Sequence, residues 1–125
     1  MVLLDTHALI WFLANDPSLS EKAMNAICSE EEVAVSCVSL WEIAIKKSLK
    51  KLDFQHSIAE VADMCKEENI SILPMSAKAI DCLMELPFIH RDPFDRYIIA
   101  TAITGKMPIV TRDSNIVKYD VKTIW

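Results

Sequence analysis

The chain has 125 residues, 52% of them hydrophobic, and a formal net charge of -5 at pH 7. This length supplies one hydrophobic core and is too short for two, and a composition with a single glycine excludes a flexible linker or a low-complexity protein. The acidic balance lacks the basic footprint of nucleic-acid-binding proteins, which excludes strong nonspecific attraction to RNA in the absence of a bound cation.

No segment of the chain predicts insertion into a membrane. The N-terminal apolar run is interrupted by Asp5 and His7, and the later run YIIATAI is much too short to cross a bilayer. The four cysteines are scattered without a C-x-x-C pair, which is typical of reduced thiols rather than of a disulfide framework or a zinc site. We therefore expect one domain over residues 1–125, located in the cytoplasm.

Strands and helices are predicted to alternate along the chain. In the first half the predicted elements are a strand at 2–4, a helix at 7–14, a helix capped by Ser20, a strand at 32–35, and a helix from Ser36 or Ser39 to about Leu49. In the second half they are a helix at 57–68, a strand at 71–73 closed by Pro74, a helix capped by Ser76, a helix from Asp92-Pro93 to a C-terminal cap at Gly105, and strands at 109–111 and 121–124. This order predicts an α/β fold with a mostly parallel sheet of about five strands and helices on both faces.

Two aspartates follow predicted strands directly. Asp5 ends the first strand, and Asp113 lies just past the strand at 109–111. In parallel sheets ligands bind beyond the carboxyl ends of the strands, so both residues are candidates for a functional site. Asp5 is the stronger candidate, because a carboxylate that ends a buried strand is expected to have little local use.

Two further carboxylates interrupt apolar helix faces. One stripe runs through Val38, Glu42, Ile45 and Leu49, and Asp95 heads a second stripe in the helix that follows Asp92-Pro93. An inward carboxylate is costly to desolvate unless it is paired or binds a metal. The pattern therefore favours convergence of these two acids with the strand-end aspartates at one rim of the sheet. In the helix capped by Ser76 the spacing predicts Ile80, Leu83 and Met84 on the inner side.

Purely local roles remain open for most of these acids. Glu42 stands three residues after Ser39, as in a capping box, and Asp95 would lie in the first helical turn, where the helix dipole favours any acid. Asp113 can close an Asx-turn in TRDSN. Asp92 is better interpreted as the N-cap before proline than as a metal ligand.

The chain resembles the PIN-domain family, and more narrowly its VapC-like toxins from bacterial toxin–antitoxin pairs. The resemblance covers nearly the whole chain, in the family's order, through the segments LLDTHALIWFL, VSLWEIAIK, LPFIHRDPFDRYIIATA and IVTRD. It implies a three-layer α/β/α sandwich and a Mg²⁺- or Mn²⁺-dependent endoribonuclease that leaves 5′-phosphate and 3′-hydroxyl ends. It also implies a homodimer and a cognate antitoxin, with DNA bound only indirectly through that antitoxin.

The resemblance assigns the family's acids to Asp5 in LLDT, Glu42 in LWEI, Asp95 in FDRYIIA and Asp113 in VTRD. We expect the first three to bind the principal metal and Asp113 to contribute to a second or shared site. The chain departs from the family after the Glu42 helix, where Lys50-Lys51-Leu52 replaces a turn that often contains glycine.

The residue types agree with this chemistry independently of the resemblance. Hard carboxylate oxygens suit Mg²⁺ or Mn²⁺, whereas His7, His56 and His90 are isolated and give no zinc spacing, so that His7 is expected to start or pack a helix and His90 to lie in a loop. A small metal-dependent phosphatase is a rival, although Asp5-Thr6-His7 lacks a D-x-D arrangement. A non-catalytic protein-binding module on the same fold is a second rival.

For several basic and polar residues near the acids, the sequence leaves two roles open. Arg91, Arg96 and Arg112 can hold the RNA backbone or neutralise the acids. Thr6 can orient a metal-bound water or cap a helix. The lysines after Glu42 are typical of a solvated helix face rather than an RNA track; they are Lys46, Lys47, Lys50 and Lys51. Trp11 and Phe12 fit core packing, with a dimer or antitoxin groove as the alternative.

Overall fold

Five parallel strands form the central sheet, in a computed structural model that describes residues 1–125. The strands are β1 (Val2–Leu4), β2 (Val33–Ser36), β3 (Ile70–Leu73), β4 (Ile109–Val110) and β5 (Thr123–Ile124). Their order across the sheet is β3-β2-β1-β4-β5, and every neighbouring pair is parallel. The central strand β1 pairs through Leu4 with Val35 of β2 and with Val110 of β4, so these three strands end close together.

Six α-helices connect and cover the strands. They are α1 (Thr6–Leu13), α2 (Glu21–Ser29), α3 (Cys37–Ser48), α4 (Ile58–Glu67), α5 (Ala77–Glu85) and α6 (Pro93–Gly105), with one 3₁₀ turn at Ile116–Lys118. None of these helices combines the length and the hydropathy that crossing a bilayer requires.

Successive side chains of β1 point to opposite faces of the sheet and join different cores. Val2 and Leu4 pack with α1, α2 and α4, whereas Leu3 packs with Ile98 and Ile99 of α6. All five of these side chains are almost fully buried. This arrangement is the α/β/α sandwich expected from the sequence, with a parallel sheet of five strands.

The polar residues predicted to start helices do so, and one helix begins earlier than predicted. Ser20, Ser36 and Asp92 each accept a hydrogen bond from a backbone N–H in the first turn of the helix that follows. Of the two candidates for the start of α3, Ser36 is therefore the N-cap. Helix α1 begins one residue earlier than predicted, because the side chain of Asp5 accepts a hydrogen bond from the backbone N–H of Ala8 and caps it.

Helices α3 and α6 are each followed by a lysine in the left-handed backbone conformation, which usually favours glycine. Lys50, after α3, has φ 55°, a backbone conformation that favours glycine. At the end of α6 the left-handed residue is Lys106, with φ 54°, and not Gly105. The prediction of Gly105 as the cap was therefore wrong. A Cβ on Gly105 would lie 2.8 Å from Cε of Met107, so the glycine accommodates that side chain instead.

The predicted inner faces of two helices are partly exposed. In α5, Ile80 and Met84 are 42% and 74% exposed, and only Leu83 of the predicted trio packs against the core. Leu49, which directly follows α3 at the end of the predicted stripe, is 57% exposed. Both errors have the same reason, since helical spacing identifies an apolar face without showing whether a second element covers it. The apolar face of α5 instead borders a surface groove formed with Trp41 and other apolar side chains.

Candidate active site

A cleft opens at the carboxyl edge of the sheet and contains all four acids that were predicted to converge. Asp5 follows β1, Asp113 follows β4, Glu42 projects from α3, and Asp95 projects from the first turn of α6. The cleft is lined by Asp5, His7, Trp11, Glu42, Lys46, His90, Asp92, Asp95, Arg112 and Asp113. Five of these ten side chains are carboxylates, so the cleft is strongly acidic.

Asp5 is held in the floor of the cleft by two hydrogen bonds. One carboxylate oxygen accepts from the backbone N–H of Ala8 at 2.8 Å, and the other accepts from the hydroxyl of Thr111, which follows β4 on the neighbouring strand. The expectation that Asp5 has little local use was wrong, because it caps α1. Burial raises the pKa of Asp5, and the bonds from Thr111 and Ala8 and the charge of His7 only partly oppose this effect.

Glu42 is buried and fully engaged, with 3% of its surface exposed. Its Oε1 lies 2.6 Å from the hydroxyl oxygen of Thr6, and its Oε2 lies 2.9 Å from Nζ of Lys46. Thr6 is also 3.0 Å from Oγ of Ser39, and since one hydroxyl carries one proton, donation by Thr6 to the carboxylate leaves Ser39 to donate to Thr6. The capping-box alternative for Glu42 and Ser39 is therefore wrong, because the N-cap is Ser36.

His90 joins the two remaining acids. Its Nε2 lies 2.9 Å from Oδ2 of Asp113 and 3.2 Å from Oδ2 of Asp95. The candidate ligand atoms of these three residues all lie within 4.8 Å of one another, and neither Asp5 nor Glu42 belongs to this tight group. The sequence placed His90 in a loop, which is correct, but gave no periodic signal that would bring it to the site.

Tyr119 fixes the loop that carries His90. Its hydroxyl oxygen accepts from the backbone N–H groups of Ile89 and His90, at 3.1 and 2.8 Å, and donates to the carbonyl of Pro87 at 2.8 Å. Arg96 is 8% exposed and donates to the same carbonyl at 3.0 Å. Of the two readings kept open for Arg96, neither holds, because this arginine binds backbone carbonyls of the loop.

Asp92 and Asp113 have the local roles proposed for them, and both also line the cleft. Asp92 accepts from the backbone N–H groups of Phe94 and Asp95 at 2.8 and 3.3 Å, which confirms it as an N-cap. Asp113 accepts from the N–H of Asn115 at 2.7 Å through Oδ1, as an Asx-turn requires, while its Oδ2 faces His90. A local hydrogen bond on one oxygen therefore leaves the other oxygen directed into the site.

Burial, together with nearby negative charges, gives Asp95 an unusual affinity for protons. Burial is the largest effect, and with the negative charges of Asp92, Glu42 and Asp5 it raises the pKa of Asp95 to about 7, against a smaller opposing effect of His90. Asp113 behaves differently: burial alone would raise its pKa, but the bonds from His90 and from two backbone N–H groups outweigh burial and lower it.

The donor set of the cleft fits a hard divalent cation. Five carboxylates and two imidazoles line the cleft and no cysteine does, and the pKa values of Asp5 and Asp95 are raised chiefly by burial of their carboxyl groups. Oxygen-rich sets of this kind suit Mg²⁺ or Mn²⁺ rather than a soft metal. The residues present are thus compatible with the metal expected from the sequence.

Comparisons with known proteins identify a matching family model and a similar ribonuclease. A family model described as the PIN domain matches residues 2–122. "Ribonuclease VapC22" of Mycobacterium tuberculosis is 31% identical to this chain over 115 residues, which cover 90% of this chain and 86% of that protein.

Solved structures of similar fold include one described as a toxin–antitoxin complex. VapBC2 from Rickettsia felis, bound to a promoter DNA fragment, superposes with a TM-score of 0.72 at 17% identity and covers 98% of this chain and 97% of its own. A toxin–antitoxin complex from Klebsiella pneumoniae gives a TM-score of 0.67 at 18% identity, with 100% and 97% covered. FitAcB from Neisseria gonorrhoeae gives 0.66 at 19% identity, with 98% and 96% covered. At these identities the likeness establishes the fold.

The pKa of Asp95 predicts how the metal-free protein responds to pH. Because Asp95 keeps its proton in the folded state up to about pH 7 and releases it near pH 4 when unfolded, its contribution to stability decreases as pH rises from about 4 to about 7. We expect Asp95→Asn to be more stable than the wild type at pH 8 in EDTA by at least about 1 kcal/mol, or about 3–6 °C in Tm.

Calorimetry or thermal scanning at pH 4 to 8 measures this difference. The exposed Asp63 provides a matched control, and Asp63→Asn should follow the wild type across the range. An Asp95→Asn protein that is less stable than the wild type at pH 8 would show that this carboxylate is compensated in the folded state.

Proposed function

This chain belongs to the PIN-domain family, and we propose that it is a metal-dependent endoribonuclease, the toxin of a toxin–antitoxin pair acting in the cytoplasm. The observation that carries the proposal is the cleft in which five carboxylates face one another at the carboxyl edge of the sheet. A relative named a ribonuclease, at 31% identity over most of the chain, supports the same activity. We further propose that residues 1–125 act as a single nuclease domain.

In this proposal Asp5, Glu42 and Asp95 hold the principal cation, directly or through water, and Asp113 contributes to a second or shared position. The cation, Mg²⁺ or Mn²⁺, would neutralise charge on the phosphate and promote ionisation of a nearby water.

The polypeptide contributes orientation of the carboxylates. The hydroxyl of Thr111 donates to Asp5 and accepts from the backbone N–H of Asp113 at 3.0 Å, so one side chain fixes two of the acids. Thr6 fixes Glu42 from the neighbouring helix. A water that attacks the phosphorus in line with the departing 3′-oxygen would leave a 5′-phosphate and a 3′-hydroxyl, and rigid carboxylates favour this alignment because they hold their ligands in one place.

The proposed partners follow from the relatives. One solved structure of this fold is described as a toxin–antitoxin complex, and another, VapBC2, contains a promoter DNA fragment. We therefore propose a cognate antitoxin protein for this chain, and contact with DNA only through that antitoxin. The acidic net charge of -5 agrees with a chain that does not bind DNA by itself.

A homodimer is proposed through the apolar face of α5. Trp41, Met75 and Ile80 are 59%, 50% and 42% exposed and line a groove whose eight side chains include seven hydrophobic ones. Met84, 74% exposed, lies one helical turn after Ile80 on the same face. A groove beside a protruding apolar side chain allows two copies to fill each other's groove about a twofold axis.

Cleavage of RNA tests the activity. With Mn²⁺ or Mg²⁺ the wild type should cut single-stranded or structured RNA, and EDTA should abolish cleavage. Glu42→Gln keeps the size of the side chain and can still bind Thr6, so we expect a folded protein whose kcat/KM is about 100- to 1000-fold lower because a charged ligand is lost.

Glu67→Gln removes a charge from an exposed position and should leave cleavage unchanged. Cleavage that persists in EDTA would contradict the metal mechanism. Release of inorganic phosphate from a phosphomonoester without cutting of RNA would favour the phosphatase alternative, and loss of both activities with retained antitoxin binding would favour the non-catalytic module.

Metal binding should also be visible in stability. A cation that binds the folded chain raises Tm, and Mn²⁺ at 100 times its Kd corresponds to about 2.7 kcal/mol. Asp5→Asn should lose most of this response, while the asparagine can still cap α1, so the variant is expected to fold. A Tm increase in Asp5→Asn as large as in the wild type would show that the cation binds elsewhere.

The dimer is tested by mass in solution. Light scattering of the wild type should give twice the chain mass of 14.1 kDa. Ile80→Glu combined with Met84→Glu places charges in the apolar face and should shift the protein to the monomer, whereas Lys78→Glu on the exposed side of the same helix should not. A monomeric wild type would contradict the proposed interface.

A further inference from the structure

Two permanently charged cations line the cleft, Lys46 and Arg112, and only one of them pairs with a carboxylate. Lys46 pairs with Glu42 at 2.9 Å, so its charge is already committed to a carboxylate. Arg112 lines the same cleft, precedes Asp113 in the chain and is exposed, yet it forms no ion pair with any carboxylate. A guanidinium that remains unpaired beside five carboxylates requires something else to hold it.

Trp11 provides that contact. Cζ of Arg112 lies 4.5 Å from the centroid of the Trp11 ring, within the range of a cation–π interaction. The indole is itself fixed by two further rings, His7 at 5.4 Å and Trp125 at 5.7 Å between centroids. Trp11 is the one hydrophobic residue of the cleft lining, so its place there is not explained by core packing alone.

The unpaired guanidinium of Arg112 is suited to bind the anionic backbone of an RNA substrate. The backbone of RNA is anionic and approaches a cleft lined by five carboxylates, which repel it wherever they are not neutralised. A guanidinium binds a phosphate through two parallel hydrogen bonds, which a lysine cannot reproduce. Stacking on an indole leaves the N–H groups at the edge of the guanidinium plane available for such bonds.

We propose that Arg112, held by Trp11, binds a phosphate of the RNA backbone next to the phosphate that is cut, and that Trp11 is a positioning residue for Arg112. This inference rests on the proposed ribonuclease function. It separates the three arginines that the sequence left equivalent: Arg96 is buried and binds backbone carbonyls, and Arg91 is exposed but does not line the cleft.

The test compares steady-state cleavage of one RNA oligonucleotide by five single variants, and by the double variant of Arg112→Gln with Trp11→Leu, in Mn²⁺ at several salt concentrations. Arg112→Gln removes the charge, Arg112→Lys keeps it without the fork, and Trp11→Phe keeps an aromatic face that Trp11→Leu lacks. Arg91→Gln is the matched control, because it lowers the net charge equally outside the cleft. The Mn²⁺-induced increase in Tm is recorded for each variant to monitor the carboxylate cluster.

We expect Arg112→Gln to raise KM about tenfold with kcat within about twofold, and to flatten the dependence of log KM on log salt by about 0.7, the value for one phosphate contact on a single strand. Arg112→Lys should lie between Gln and the wild type. Trp11→Leu should raise KM about threefold and Trp11→Phe less, since the cation–π contact is weak at an exposed site. In an Arg112→Gln background Trp11→Leu should have no further effect, which a merely structural role of Trp11 would not produce.

An Arg112→Gln variant with the KM and salt dependence of Arg91→Gln would overturn the proposal. If that variant also reached half of its Mn²⁺ response at a clearly lower concentration, Arg112 would be a neutralising partner of the acids. A wild type that does not cut RNA in Mn²⁺ would overturn the ribonuclease function together with this inference, so the two failures are distinguishable.

Discussion

The hydrogen bond between Asp5 and Thr111 links the fold to the site. It joins the residues that follow two neighbouring parallel strands, whose register places Leu4 opposite Val110. Asp5 is 5% exposed, and desolvation raises its pKa, while the bonds from Thr111 and Ala8 partly oppose this effect by stabilising the charged form. The same hydroxyl accepts from the backbone of Asp113 at 3.0 Å, so the central pair of strands positions two acids through one threonine.

Crowding of the carboxylates opposes folding of the metal-free chain and favours binding of a cation. Each acid in the cleft is stabilised by at least one neutral or positive group, yet the pKa of Asp95 remains at about 7. Burial and the neighbouring negative charges therefore outweigh the compensation that other residues give Asp95. In the proposed function the cation supplies further compensation, and its binding free energy adds to the stability of the folded state.

The sequence predicted the elements and the four acids because these follow from local rules, namely strand ends, helix caps and apolar stripes. It could not predict His90 or Thr111 in the site, since each reaches an acid only through the tertiary fold, whereas the spacing of four residues between Glu42 and Lys46 could have indicated their pair. It also placed Ile80 and Met84 inside, because spacing reports an apolar face but not the element that covers it. For Asp5 the sequence analysis identified the place in the site but missed the role as N-cap of α1, because one carboxylate can do both.

Charge in the cleft constrains the order of events in the proposed reaction. Lys46 and His90 already face carboxylates, and Arg112 alone among the permanent cations of the cleft is unpaired. Against five carboxylates, a single guanidinium cannot make the cleft attractive to an RNA backbone. Productive binding of RNA therefore requires the divalent cation to arrive before or with the substrate, and Arg112 then contributes at the edge, where the repulsion has already been reduced. On this reasoning the metal determines whether RNA enters, and the arginine determines where its backbone lies.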